Sequence, residues 1–200
     1  INAGEGGIMI TDDADLVARA VIMSGAYEHN WKKHSVLQDA FASHQNQLPL
    51  YNLRLSNLSA AVIRPQLTHL ARRVEDGRRN HDHVAALLGR SPHIHVPAAL
   101  KGEVRAPDSI QFNLIDFSDA DVDRFVHAAA AGGVKVQVFG ASADNARAFW
   151  NWQFIPDLPE LPQTRKMLMR ACDVRLPVHL PAETLDAVAD VLLTAIKVAR

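Results

Sequence analysis

One cysteine, Cys172, stands among 200 residues, which excludes an internal disulfide and a zinc cluster built on thiolates. The expectation is a reducing, cytoplasmic compartment. Neither sign of charge is in excess, since 21 Lys and Arg against 22 Asp and Glu leave a formal net charge of -1. Nucleic-acid binders carry a clear basic surplus, so no nucleic-acid partner is expected. No apolar run reaches the roughly 20 residues that cross a bilayer, and the opening residues have neither the basic nor the apolar region of a secretory leader. No membrane partner is expected either. Repeats, low-complexity tracts and Gly/Ser linkers are also missing. What is there, 48% hydrophobic and 22% charged residues, suffices for one substantial core, or a core with a smaller one appended.

The chain opens in what reads as a turn rather than a polar, frayed terminus, and is expected to be a fragment. Glycines at 4, 6 and 7 lead into Ile8-Met9-Ile10, a short strand, and Thr11-Asp12-Asp13 then offers N-cap oxygens to a helix of about three turns. Leu16, Val17, Ala20, Val21 and Met23 mark its apolar face, and Gly25 stands where a C-cap glycine ends it. Residues 26–50 lose this period and read as a long polar loop, of the kind that tends to be functional or disordered. The longest helix follows Asn52, with Leu55, Leu58, Val62, Ile63, Leu67, Leu70 and Val74 on one face. Pro65 inside it costs about 3 kcal/mol in a straight helix, so a kink rather than a break is expected there.

Beyond Gly89 the pattern shortens to strands over 93–96 and 109–117, a helix over 119–131, a strand over 134–139 and a last amphipathic helix over 183–198. These observations predict two parts. Residues 1–88 hold the end of a larger domain, its connecting loop and the long helix, and 89–200 form a small α+β domain.

Three stretches carry a resemblance. The first is Gly4-Glu5-Gly6-Gly7-Ile8-Met9-Ile10-Thr11. The second is Tyr51-Asn52-Leu53-Arg54 with Leu58, Ala60, Ala61, Gln66 and Leu67. The third is Arg78-Arg79-Asn80, followed by a variable region that closes on Leu176-Pro177 and an amphipathic helix. In this order they resemble the C-terminal half of the DegT/StrS sugar aminotransferases, fold type I enzymes dependent on pyridoxal 5'-phosphate (PLP). The match is good over 1–88 and architectural over 92–200, and the stretch from Asn145 to Phe154 has no counterpart in the family pattern.

The resemblance implies that the lysine holding the cofactor lies about two residues before Ile1, outside this chain. It implies a homodimer with shared active sites, in which Asn52 reaches the phosphate of the partner subunit's PLP. Arg54 then offers a planar fork to a carboxylate or phosphate of the substrates. The implied reaction moves an amino group from glutamate or glutamine to a keto sugar nucleotide or related cyclic polyol. Lys33 and His34 are candidates for its diphosphate. The same scaffold also carries PLP- or PMP-dependent sugar dehydratases, with histidine in place of the lysine, and a non-catalytic regulatory relative is a further alternative.

Each residue also has a plainer reading. Asn52 suits a helix cap or turn, Arg54 a solvated interface charge, Lys32, Lys33 and His34 a solvated charge run, and Glu5 a structural acceptor. Phe149, Trp150, Trp152 and Phe154 suit a core or interface as well as a substrate lid. Of ten histidines, His93 and His95 share one face of a strand, yet no neighbouring Asp, Glu or Cys completes a set, so no metal is expected.

Overall fold

The computed structural model describes residues 1–4, 6–25, 32, 37–141 and 145–200. It divides into two compact units, Ile1–Leu70 and Ala71–Arg200.

In the first unit, Asp13 caps helix α1 (Ala14–Met23) as its spacing suggests, its carboxylate accepting from the backbone N–H groups of Asp15 and Leu16 at 2.9 and 3.0 Å. Gly25 follows with φ 96°, a left-handed conformation that glycine adopts without strain. The supposed loop of 26–50 contains a second helix, α2 (Gln38–His44), whose Phe41 is buried against Ala18 and Ile22 of α1. Three buried residues thus form a small core, and the His44 imidazole contacts the Asp15 carboxyl across the two helices. With one buried aromatic over two turns, α2 shows too little periodicity to be recognised locally.

The strand expected at 8–10 is not formed among the described residues, and Ile10 is 93% exposed. A strand needs a neighbour to take its backbone hydrogen bonds, and no described segment supplies one.

The long helix is interrupted rather than kinked. Helix α3 (Asn57–Leu67) runs through Pro65, and helix α4 (Leu70–Leu88) starts after a two-residue turn. Pro65 has no N–H to give the preceding turn. The chain then tightens, with Thr68 Oγ1 donating to Pro65 O at 2.8 Å and His69 N–H to Gln66 O at 3.1 Å. No residue of α3 is buried, and Leu58 is 77% exposed.

The second unit is α+β and takes in residues 71–88, which the sequence assigned to the first part; it is built on a four-stranded sheet in the order β1-β2-β4-β3 with every pairing antiparallel. The strands are β1 (Ile94–His95), β2 (Ser109–Leu114), β3 (Gln137–Val138) and β4 (Ala171–Arg175). Alternation along β2 turns Ile110, Phe112 and Leu114 inward, and they meet Val122, Phe125 and Ala129 of α5 (Asp119–Ala131). Leu185, Ala189, Leu192 and Ile196 of the last helix, α7 (Ala182–Ala199), join the same core, as do Val84 and Leu88 of α4.

Helix α6 (Pro162–Leu168) and β4 itself, which lies between β2 and β3, escape the sequence reading, as does a single 3-10 turn over Phe149–Asn151. Cys172 and Val174 of β4 join the core in alternation with Asp173 and Arg175. Tertiary structure accommodates the buried Asp173 by a hydrogen bond from Ser109 Oγ at 2.8 Å. Asn80, also buried, donates its side-chain amide to Pro177 O and Val178 O at 3.3 and 3.2 Å, tying the Arg78-Arg79-Asn80 stretch to the Leu-Pro turn.

Cys172 sits in β4, fully buried, and burial pushes its thiol up to about 12. The thiol should therefore resist alkylation at pH 8 in the folded protein and react at once in denaturant; rapid labelling without denaturant would contradict this packing. The folded thiol keeps its proton where the unfolded one loses it. Stability from this group is complete below the ordinary thiol range and declines as pH rises from 9.0 toward about 12.

Candidate functional site

The first unit gathers the first two stretches singled out in the sequence. Where α1 ends, the run at 51–54 lies alongside it: Tyr51 N–H donates to Met23 O at 2.8 Å and Leu53 N–H to Ser24 O at 3.0 Å. Bonds at alternate residues direct the backbone N–H groups of 51 and 53 toward α1. The side chains of Asn52 and Arg54 are exposed. Gly25 makes this approach possible, since a Cβ there would stand 2.3 Å from Tyr51 O and 3.7 Å from Arg54 Nε.

Asn52 does not cap the helix that follows. Ser56 does, accepting from Ser59 N–H at 3.0 Å, and the Asn52 carboxamide has no hydrogen bond among the described residues. It remains an outward-facing pair of donors and an acceptor.

The glycine stretch approaches the same region. Gly4 and Gly6 have φ values of 86° and 149°, and a Cβ on Gly6 would stand 3.3 Å from Leu55 Cδ1. Asn2 is held from α3 by Gln66. Asn2 N–H donates to Gln66 Oε1 at 3.0 Å, and Gln66 Nε2 donates to Asn2 O at 2.8 Å. Sequence reading had Gln66 only as part of a motif and Gly25 only as a helix stop. No local signal links position 2 to position 66 or position 25 to position 51.

Lys33, His34 and Glu5 lie outside the described residues. In the second unit, Phe149 and Trp150 meet edge to face with centroids 5.3 Å apart, Arg165 lies 4.4 Å over the Trp150 ring, and Trp152 Nε1 donates to Ala146 O at 2.7 Å. Phe149, Trp150, Leu158, Pro162 and Arg165 line an open cleft of about 410 Å³. A second cleft of about 350 Å³ holds Arg105, whose donors are committed to Pro97 O, Ala98 O and Glu103. The hydrogen bond from Arg105, with one from the Leu100 backbone, holds the Glu103 carboxyl below the usual range. Among the described residues no three His, Cys, Asp or Glu side chains are grouped to hold a metal, and no helix is long and apolar enough to cross a membrane.

The sequence profile of the DegT/DnrJ/EryC1/StrS aminotransferase family matches residues 1–193. The chain belongs to this family. Solved structures share its fold. DesI, determined in the presence of its TDP-sugar product, is 21% identical with a TM-score of 0.70, over 98% of this chain and 47% of that one. The aminotransferase TlmJ from Streptoalloteichus hindustanus is 12% identical with a TM-score of 0.69, over 93% and 46%. The sugar aminotransferase CalS13 from Micromonospora echinospora is 14% identical with a TM-score of 0.66, over 96% and 48%. The chain thus spans just under half the length of each. No curated protein sequence matches it.

Enzymes holding PLP must supply a lysine, an acid for the ring nitrogen, a ring-stacking residue and phosphate donors. The exposed Asn52 carboxamide, with its donors uncommitted among the described residues, and the adjacent Arg54 are the donor chemistry that a phosphate or carboxylate takes.

Proposed function

We propose that this chain is the C-terminal part of a PLP-dependent aminotransferase that moves an amino group from glutamate or glutamine to a keto sugar nucleotide or related cyclic polyol. The observation that carries the reading is the gathering of the glycine stretch, the 51–54 run and α3 in one unit of a chain matched by the family over 1–193. Bound PLP supplies an electron sink for the carbon bearing the amino group. This chain's own residues bind and orient. Asn52 donates its amide hydrogens to phosphate oxygens of the partner subunit's cofactor. Arg54 clamps a carboxylate of the amino donor or a phosphate of the sugar nucleotide with its planar fork. Lys33 and His34 are the candidate contacts for the diphosphate. The working form is a cytoplasmic homodimer with shared sites, and the exposed Leu53 and Leu58 in the stretch that carries Asn52 support a covering subunit.

The test uses the full-length enzyme. Asn52→Ala should speed loss of cofactor about tenfold, the worth of one hydrogen bond to a charged group. Mixed with a variant lacking the cofactor lysine, it should regain one working site in each mixed dimer, because the intact lysine and the intact Asn52 then meet across the interface. Mixtures that regain no activity would refute the shared site.

A further inference from the structure

We infer that Gln66 is a positioning residue for the segment that bears the cofactor lysine, an inference that rests on the function proposed above. Its carboxamide takes both the N–H and the C=O of Asn2, at 3.0 and 2.8 Å, as a facing residue does in an antiparallel hydrogen-bonded pair. The second hydrogen on Nε2 goes to Val62 O at 2.9 Å, one turn back on α3. Two carbonyls therefore receive Nε2 and one N–H meets Oε1, which leaves a single orientation for the amide. Asn2 in turn accepts Gly4 N–H on its own side chain at 3.2 Å, so the bracket reaches into the glycine stretch.

The lysine is expected about three residues from Asn2, within roughly 11 Å of fully extended chain. Anchoring Asn2 to a helix confines where that lysine's backbone can lie. Catalysis is sensitive to such placement, with about a hundredfold in rate for a shift of roughly 1 Å. Neither Asn2 nor Gln66 is buried, so the bracket adds little to the core; its effect is on geometry. No other residue type of this length both donates and accepts in the required plane at neutral pH.

The experiment compares the full-length enzyme with Gln66→Ala and Gln66→Glu. Readouts are amide exchange over residues 1–10, melting temperature, and kcat and KM with PLP loaded. Gln66→Ala should speed exchange at Asn2 about tenfold with an unchanged melt. It should lower kcat about tenfold or more while KM for the amino donor stays within about twofold. In Gln66→Glu the introduced carboxyl keeps the acceptor and lacks the donor until it takes up a proton, so protection of Asn2 should return as pH is lowered toward the carboxyl range. That pH dependence reports the bracket even where the alanine variant folds poorly. Unchanged exchange in Gln66→Ala, an Asn2 protection factor in Gln66→Glu that does not rise relative to the intrinsic amide rate as pH is lowered, or faster exchange with unchanged kcat overturns the inference. Wild-type enzyme that loads PLP normally beside such a result confines the failure to Gln66. Wild-type enzyme with no PLP fixed to lysine by borohydride would instead sink the proposed function, and the positioning role with it.

Discussion

Gly25→Ala should release the 51–54 run from the end of α1 and, on the function proposed above, weaken cofactor retention through Asn52. The new Cβ would stand 2.3 Å from Tyr51 O, a backbone atom that cannot swing aside as a side chain can. The bonds to Met23 O and Ser24 O would both be lost. Each contributes roughly 1 kcal/mol, and alanine in a left-handed conformation costs about 1 kcal/mol more. The expected loss is therefore about 2–4 kcal/mol of local stability, focused on the run that presents Asn52 and Arg54. In the full-length enzyme, cofactor retention should fall by at least as much as with Asn52→Ala. Equilibrium PLP binding by fluorescence reads this directly. Wild-type affinity in Gly25→Ala would mean that the 51–54 run does not present the phosphate donor.

Phe125→Ala should have the largest effect on the second unit. Phe125 is fully buried and meets Phe112 and Phe117 edge to face, at centroid distances of 6.3 and 6.4 Å. With Val122 and Ala129 it seats α5 on β2, and its truncation leaves a cavity between helix and sheet. Removal of a core phenylalanine costs about 3–5 kcal/mol. On a domain whose total stability is of order 5–15 kcal/mol, that should lower the melting temperature by on the order of 15 °C. Phe154→Ala is the control, since that ring is 75% exposed and its loss should leave the melt nearly unchanged. Equal shifts for the two variants would refute the assigned core.

Much of the fold was legible wherever the controlling interactions are local. Asp13 caps α1 through atoms two and three residues away. Helix α5 occupies 119–131 as read, because Ser118 and Asp121 close a capping box at its start. That box holds the Asp121 carboxyl below the usual range, mainly through the Ser118 hydroxyl, so its share of stability is present at neutral pH and is lost as pH falls through the carboxylate range. The candidate site was legible in part. Motif order singled out Asn52 and Arg54, but not the backbone bonds from Tyr51 and Leu53 that tie their run to the end of α1.

The remainder was hidden for physical reasons that can be named. Strand β4 buries Asp173, which reads as a loop residue until Ser109, 64 positions away, supplies its hydrogen bond. Strand 8–10 carries a strand's composition, yet a ladder requires a second segment, and among the described residues there is none. Pro65 announced a disturbance in the helix, but whether the chain bends or stops depends on which groups take up the freed backbone, here Thr68 and His69.

By itself, the sequence determined the helices with a clear period, the caps at Asp13 and Gly25, the α+β character of the C-terminal unit and the family. All of these rest on residues a few positions apart, or on an ordered set of motifs. Tertiary structure alone decided that Gln66 brackets Asn2, that Tyr51 and Leu53 pair with the end of α1 rather than with each other's neighbours, and that β4 divides β2 from β3. Each is a choice of hydrogen-bond partner across a long stretch of chain. The closure of a loop makes that choice by bringing two backbones together, and no local pattern of side chains records which two will meet.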